Sequence, residues 1–172
     1  NTLASQVEDL GSNFLLVVDP FFLEADSVKD AKASLEAAGK KYTVFGEVRG
    51  EPTVELVDEI TEIALEAGVD AVISIGGGSC IDVGKAVAAL VTNGTPAIDY
   101  MEYVGIGKKV TNQPLPFVAC PTTSGTGSEV TKNSVLGSRV QTFKRSMRSD
   151  MMIADVTILD PKLVMGCPKK TT

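Results

Sequence analysis

The stretch Ala71-Val72-Ile73-Ser74-Ile75-Gly76-Gly77-Gly78-Ser79-Cys80-Ile81-Asp82 decides how the rest of the chain is read. Ala71 to Ile75 is a short apolar, β-branched run that reads as a buried strand, and residues 81–91 read as a helix. Between them lie three consecutive glycines, where backbone N–H groups can approach an anion with no Cβ in the way. The helix dipole adds partial positive charge at that end. Ser79 can cap the helix, with Asp82 three positions on in capping-box-like spacing, so a tight turn with a capped helix is the plain structural reading. The glycines leave the carboxyl end of the strand, which is where open parallel sheets bind ligands, and this favours phosphate.

The same alternation of strand and helix continues on both sides. Upstream, Leu15-Leu16-Val17-Val18 is a strand closed by Asp19-Pro20. Val28, Ala31, Leu35 and Ala38 then recur at helical spacing before Gly39. Tyr42-Thr43-Val44-Phe45 is the next strand, and Val54, Val57, Ile60, Ala64 and Ala67 mark a helix ending at Gly68. Downstream, residues 92–116 are irregular and rich in Gly and Pro, a length that usually signals function or mobility. Phe117-Val118-Ala119-Cys120 is a fourth strand, residues 134–140 and 144–148 suggest a hairpin, and Val156-Thr157-Ile158-Leu159 closes the sheet. Repeated strand–helix alternation predicts an α/β domain, a parallel sheet covered by helices, with no internal linker.

Composition narrows the function classes. The 172 residues carry 22 acidic and 16 basic side chains, a net charge of −6, which argues against nucleic-acid binding through a basic face. No apolar run reaches the roughly 18 residues needed to cross a bilayer, and the first residues carry no secretory pattern. Cys80, Cys120 and Cys167 are far apart, which suits reduced thiols in a cytoplasmic protein better than a disulfide framework. Asn93-Gly94-Thr95 is a formal glycosylation sequon, of little weight without a secretory signal. The sequence contains no histidine, which removes the commonest metal ligand and the commonest neutral-pH acid/base.

Two familiar nucleotide motifs fail here. Gly84-Lys85 is followed by Ala86 and preceded by Ser79 at the position where a P-loop needs glycine. The standard dinucleotide fingerprint would follow the first strand, which instead ends in Asp19-Pro20-Phe21-Phe22. A second polar loop, Pro121-Thr122-Thr123-Ser124-Gly125-Thr126-Gly127-Ser128-Glu129, follows the fourth strand. On composition it is a solvated loop; placed beside the glycine turn at an equivalent strand end, its hydroxyls suit phosphate, ribose or amide groups.

The two loops in this order resemble the iron-containing (group III) alcohol dehydrogenases, with glycerol dehydrogenases and dehydroquinate synthases as more distant relatives. The motifs are Gly76-Gly77-Gly78-Ser79-x-x-Asp82 and Pro121-Thr122-Thr123-Ser124-Gly125-Thr126-Gly127-Ser128-Glu129-Val130-Thr131. The likeness runs from about Leu15 through Leu163. It implies a Rossmann-like parallel sheet with flanking helices, the dehydroquinate synthase-like N-terminal domain, and a single NAD(P)-binding domain over residues 1–172. By the same resemblance Asp19 holds the adenosine ribose, and Gly77, Gly78 and Ser79 hold the pyrophosphate. Asp82 stands near the nicotinamide end, Thr122, Thr123, Thr126 and Thr131 surround the cofactor, and Lys144 reaches the nucleotide. NAD is expected over NADP, because a carboxylate at Asp19 accepts from both ribose hydroxyls and repels a 2′-phosphate.

Two departures qualify what is carried over. Gly50-Glu51-Pro52-Thr53 stands where the family often has Pro-Asn-Pro-Thr, which puts the adenine-side contact in doubt. The family's helical domain, which supplies one Asp and three His to a divalent iron or zinc, is expected to be absent. The complete enzyme would interconvert alcohols and aldehydes; this chain alone, lacking the metal ligands, is expected to be inactive. The rival reading is a catalytically silent truncated binding or interaction module. Apolar surface uncovered by truncation points to self-association as a homo-oligomer.

Overall fold

A computed structural model describes residues 2–165 and Cys167. Five strands form one parallel sheet: β1 (Asn13–Val18), β2 (Lys41–Phe45), β3 (Ala71–Gly76), β4 (Phe117–Pro121) and, at the far edge, β7 (Val156–Thr157). Their order is β2-β1-β3-β4-β7, with every neighbouring pair parallel. An antiparallel hairpin, β5 (Asn133–Gly137) and β6 (Lys144–Arg148), stands apart from it. Helices α2 (Asp26–Ala37), α3 (Val54–Ala67) and α4 (Gly78–Asn93) connect successive strands, and short α1 (Leu3–Gln6) and α5 (Pro161–Val164) flank them.

The strands read as unbroken apolar runs because both faces of the sheet are covered. Side chains alternate between two cores. Leu15, Val17, Val72, Phe117 and Ala119 pack with α3 and α4, whereas Phe14, Leu16, Val18, Ile73, Val118 and Cys120 pack towards α1, α2 and α5. On the second face an open cleft of about 1170 Å³ runs between α1, α2 and the segment joining β7 to α5, floored by Ile75 and Cys120.

Local chemistry sets the helix ends. Thr53 caps α3 by accepting from Leu56 N–H, and Gly68 ends it in the left-handed region at φ 62°, a conformation other residues rarely adopt. Asp70 then accepts from Ser12 and Asn13, fixing where β1 begins against β3. Asn93, the sequon residue, organises the long crossover instead: its Oδ1 accepts from Thr111 and Asn112, and its amide donates to Ala89 and Asn112.

Three expectations shift. The long irregular stretch contains a 3-10 turn, Ala97–Tyr100, whose Tyr100 and Ala97 are buried. The last strand stops after Thr157: Ile158 N–H still bonds Ala119, but the chain then turns out so that Asp160 can cap α5. The helix expected from residue 81 begins at Gly78, and this difference reaches the site.

Candidate functional site

Three strand ends converge. At the end of β1, Asp19 N–H donates to Ile75 at 2.9 Å, and its Oδ1 accepts from Phe21 N–H at 3.0 Å, capping the turn Pro20–Phe22. At the end of β3, Gly76 is packed so tightly that a Cβ there would lie 2.5 Å from that of Cys80 and 3.0 Å from that of Asp19. At the end of β4, Thr122 N–H donates to Gly76 at 3.0 Å, continuing the strand pairing into the loops. The glycine turn and the threonine loop therefore meet directly. A Cβ on Gly77 would sit 3.4 Å from Thr123 Oγ1, and one on Gly78 would sit 3.2 Å from both Ser128 Oγ and Thr126 Cγ2.

Ser79 does not cap the helix. The cap position belongs to Gly77, extended at φ −75° and ψ −174°, and no side chain closes it. The chain enters the helix one residue before Ser79 because the second glycine already adopts the cap conformation and its carbonyl accepts from Ile81 N–H. The first turn of α4 is left without a side-chain acceptor, which is the condition an anion needs. Beside it Thr123 Oγ1 is buried with no hydrogen-bond partner among the described residues, an unusual state for a hydroxyl.

Asp19, Gly77, Gly78, Ser79, Thr122, Thr123 and Thr126 thus gather at the carboxyl end of the sheet. The other three candidates lie on the hairpin side. Asp82 is buried; its carboxylate accepts from Val135 N–H at 3.1 Å and its carbonyl from Ser134, so it anchors β5 as well as facing the site. Burial raises its pKa above the ordinary value, opposed by the Val135 N–H and by the charges of Lys85 and Lys144. Thr131 is exposed, its hydroxyl 3.4 Å from the Ser128 carbonyl. Lys144 makes a 2.5 Å ion pair with Glu51, the residue that departs from the family pattern, so here the ammonium is held at the rim by a carboxylate.

One participant escaped the sequence reading. Residues 80–90 of α4 are all buried, and Lys85 among them is only 1% exposed. Its Nζ donates to the backbone carbonyls of Ser128 at 2.6 Å, Thr131 at 2.5 Å and Asn133 at 2.9 Å. Burial pushes its pKa down to about 8, against the pull of Asp82 and Glu129. The signal was a cation in the middle of a helix whose other residues from 80 to 90, Asp82 apart, are apolar or small, which demands buried partners. The thiols of Cys80 and Cys120 are raised by burial and unreactive; Cys80 Sγ donates to the Val17 carbonyl at 3.2 Å.

No group of three or more His, Cys, Asp or Glu among the described residues is placed to hold a metal ion, and the sequence has no His. Nor is any helix among them long and apolar enough to cross a membrane.

An open parallel sheet with helices on both faces and a glycine-rich helix start at its carboxyl edge defines a Rossmann-like, dinucleotide-binding type of α/β domain. The sequence model described as iron-containing alcohol dehydrogenase matches residues 1–161. A sulfoacetaldehyde reductase of Bilophila wadsworthia is 38% identical over 170 residues, covering 98% of this chain and 43% of that protein. A long-chain-alcohol dehydrogenase 1 of Geobacillus thermodenitrificans is 34% identical over 171 residues, 99% of this chain and 42% of that protein. The crystal structure of a sulfoacetaldehyde reductase from Bifidobacterium kashiwanohense in complex with NAD+ superposes with a TM-score of 0.82 at 33% identity, over 97% of this chain and 43% of that one. The chain belongs to the iron-containing alcohol dehydrogenase family, and it spans less than half the length of these relatives, in their N-terminal part.

Proposed function

We propose that residues 1–172 act as the nicotinamide-dinucleotide-binding domain of a metal-dependent alcohol dehydrogenase, with NAD preferred over NADP. The observation that carries this reading is the uncapped start of α4 at Gly77 and Gly78, set against the threonine loop, with the Thr123 hydroxyl unpartnered beside it. A turn with little room for a side chain, a helix start that no side chain caps and an orphaned hydroxyl together fit a pyrophosphate.

In this reading Gly77, Gly78 and Ser79 receive the pyrophosphate, and Thr122, Thr123 and Thr126 donate to it and to the adjoining ribose. Asp19, with one oxygen committed to Phe21 N–H, keeps the other for the adenosine ribose. Asp82, Thr131 and Lys144 serve from the hairpin side, and Lys144 exchanges Glu51 for the nucleotide on binding. The bound dinucleotide supplies the nicotinamide that accepts or gives up hydride. Interconversion of an alcohol and an aldehyde belongs to the whole protein, and its metal, iron or zinc, needs ligands that these residues do not provide. The domain works in the cytoplasm, its buried thiols reduced.

Calorimetric titration with NAD and NADP tests the proposal. NAD should bind more tightly, and Asp19→Gly should weaken NAD by about tenfold while narrowing the gap to NADP. Tighter NADP binding, unaffected by Asp19→Gly, would assign that carboxylate another role. Binding of neither dinucleotide would leave the silent interaction module, the reading favoured by the lack of histidine.

A further inference from the structure

We propose that Lys85 is a positioning residue: its ammonium, set in a bowl of three backbone carbonyls, clamps the threonine loop into the shape that receives the dinucleotide. The clamp itself is read from geometry, and its consequence for binding rests on the cofactor role proposed above.

A lysine ammonium has three N–H donors and no acceptor capacity, so it is fully satisfied by three acceptors. Lys85 meets that number with the carbonyls of Ser128, Thr131 and Asn133, all within 2.9 Å. These carbonyls run from a short 3-10 turn, Ser128–Val130, through Thr131 just after it to the first residue of β5, and that of Ser128 receives in addition a longer bond, 3.4 Å, from the Thr131 hydroxyl. Without the ammonium the turn would present several inward-facing carbonyls to a buried space, each costly to leave unpaired. The lysine stem rises from the middle of α4, a helix packed against β3 and β4 and buried on all sides around this residue. The clamp therefore ties the loop to a fully buried stretch of helix in the core.

The charged groups that face Lys85 are Asp82 on its own helix and Glu129 on the clamped turn, and both favour its charged form. Neither lies within ion-pair distance, so the carbonyls are its direct partners among the described residues. The clamp also sets the site wall. Ser128 contributes the carbonyl that Lys85 holds and the hydroxyl that closes over Gly78. Moving the turn by a few tenths of an ångström changes the width of the cradle at the start of α4.

The test uses the 172-residue chain and reads three quantities. In the wild-type chain a ¹⁵N-correlated spectrum should show the Lys85 ammonium as a slowly exchanging signal, assigned by its loss in Lys85→Arg. Amide hydrogen exchange should show 128–133 protected in wild type and in Lys85→Arg, and unprotected in Lys85→Met, with 71–76 unchanged in all three. NAD titration should show about tenfold weaker binding by Lys85→Met and affinity within about threefold of wild type for Lys85→Arg. The proposal is overturned if the wild-type ammonium exchanges as fast as surface lysines, a result that does not depend on any variant folding. It is equally overturned if Lys85→Met keeps the loop protected, or if Lys85→Arg loses NAD as fully as Lys85→Met. A wild-type chain that shows the slow ammonium and the protected loop but binds no NAD keeps the clamp and overturns the cofactor reading instead.

Discussion

Gly78 and Gly84 lie six residues apart on the same helix and are glycine for different reasons. At Gly78 a Cβ would come within 3.2–3.3 Å of Ser128 Oγ and of Thr126 Cγ2 and Cβ, all of them loop side-chain atoms that can yield slightly. Gly78→Ala should therefore leave the melting temperature nearly unchanged and weaken NAD by about tenfold, because the loop is pushed off the cradle. Calorimetry and thermal melting on one sample separate the two effects, and a large loss of stability with unchanged affinity would contradict the argument. At Gly84 a Cβ would lie 2.0 Å from Ser74 Oγ and 3.0 Å from the Phe117 ring, inside the contact between α4 and the sheet. Ser74 cannot rotate away freely, since it also donates to the Cys80 carbonyl. Gly84→Ala should cost about 1–3 kcal/mol in urea-induced unfolding by overpacking. A variant as stable as wild type would mean that α4 sits less tightly than described.

Glu55 ties the hairpin's connecting loop to α3, beside the holds that Asp82 and Lys85 keep on β5. Its carboxylate accepts from Ser138 Oγ and from Arg139 N–H, while Gly137 N–H donates to Pro52 just before α3. Burial alone would raise its pKa, but the hydrogen bonds from Ser138 and Arg139 outweigh it and hold it at about 2, below the ordinary 4.5. A carboxyl depressed on folding contributes stability above its unfolded pKa and loses it as pH falls through the folded one. Denaturant unfolding measured from pH 4.5 down to 2 should thus fall less steeply in Glu55→Gln than in wild type; parallel slopes would exclude this contact as the cause. Nothing in the sequence marked Glu55, because its partners are a hydroxyl and an N–H more than eighty residues away. The helices themselves were legible: Gly39 and Gly68 stop them as expected, and the strands announced themselves as apolar runs. The start of α4 was misjudged because Ser79 offered a plausible cap, whereas an extended glycine needs no side chain to occupy that position. Lys85 was passed over for a related reason. Its acceptors are main-chain carbonyls, which every residue carries and no sequence pattern distinguishes.

For the molecule as a whole, no histidine and no acidic or thiol cluster among the described residues offers a metal a cage. This chain, supplied with NAD and divalent iron or zinc, should therefore produce no alcohol-dependent rise in NADH absorbance. A polypeptide extended to the length of its relatives should produce one; comparable metal-dependent turnover by the 172 residues alone would overturn the division of labour. The sheet order carries a different consequence, for how the protein is made. β1 is written first but ends up second in the sheet, between β2 and β3. On the ribosome it can pair early with β2, yet its other edge stays open until residues 71–76 emerge. For that interval Phe14 to Val18, all buried in the finished fold, form half of an unfinished template with exposed main-chain groups. A nascent chain halted when residues 41–45 have emerged and 71–76 have not should accordingly be held by chaperones, and one halted well beyond α4 should resist protease over residues 13–76.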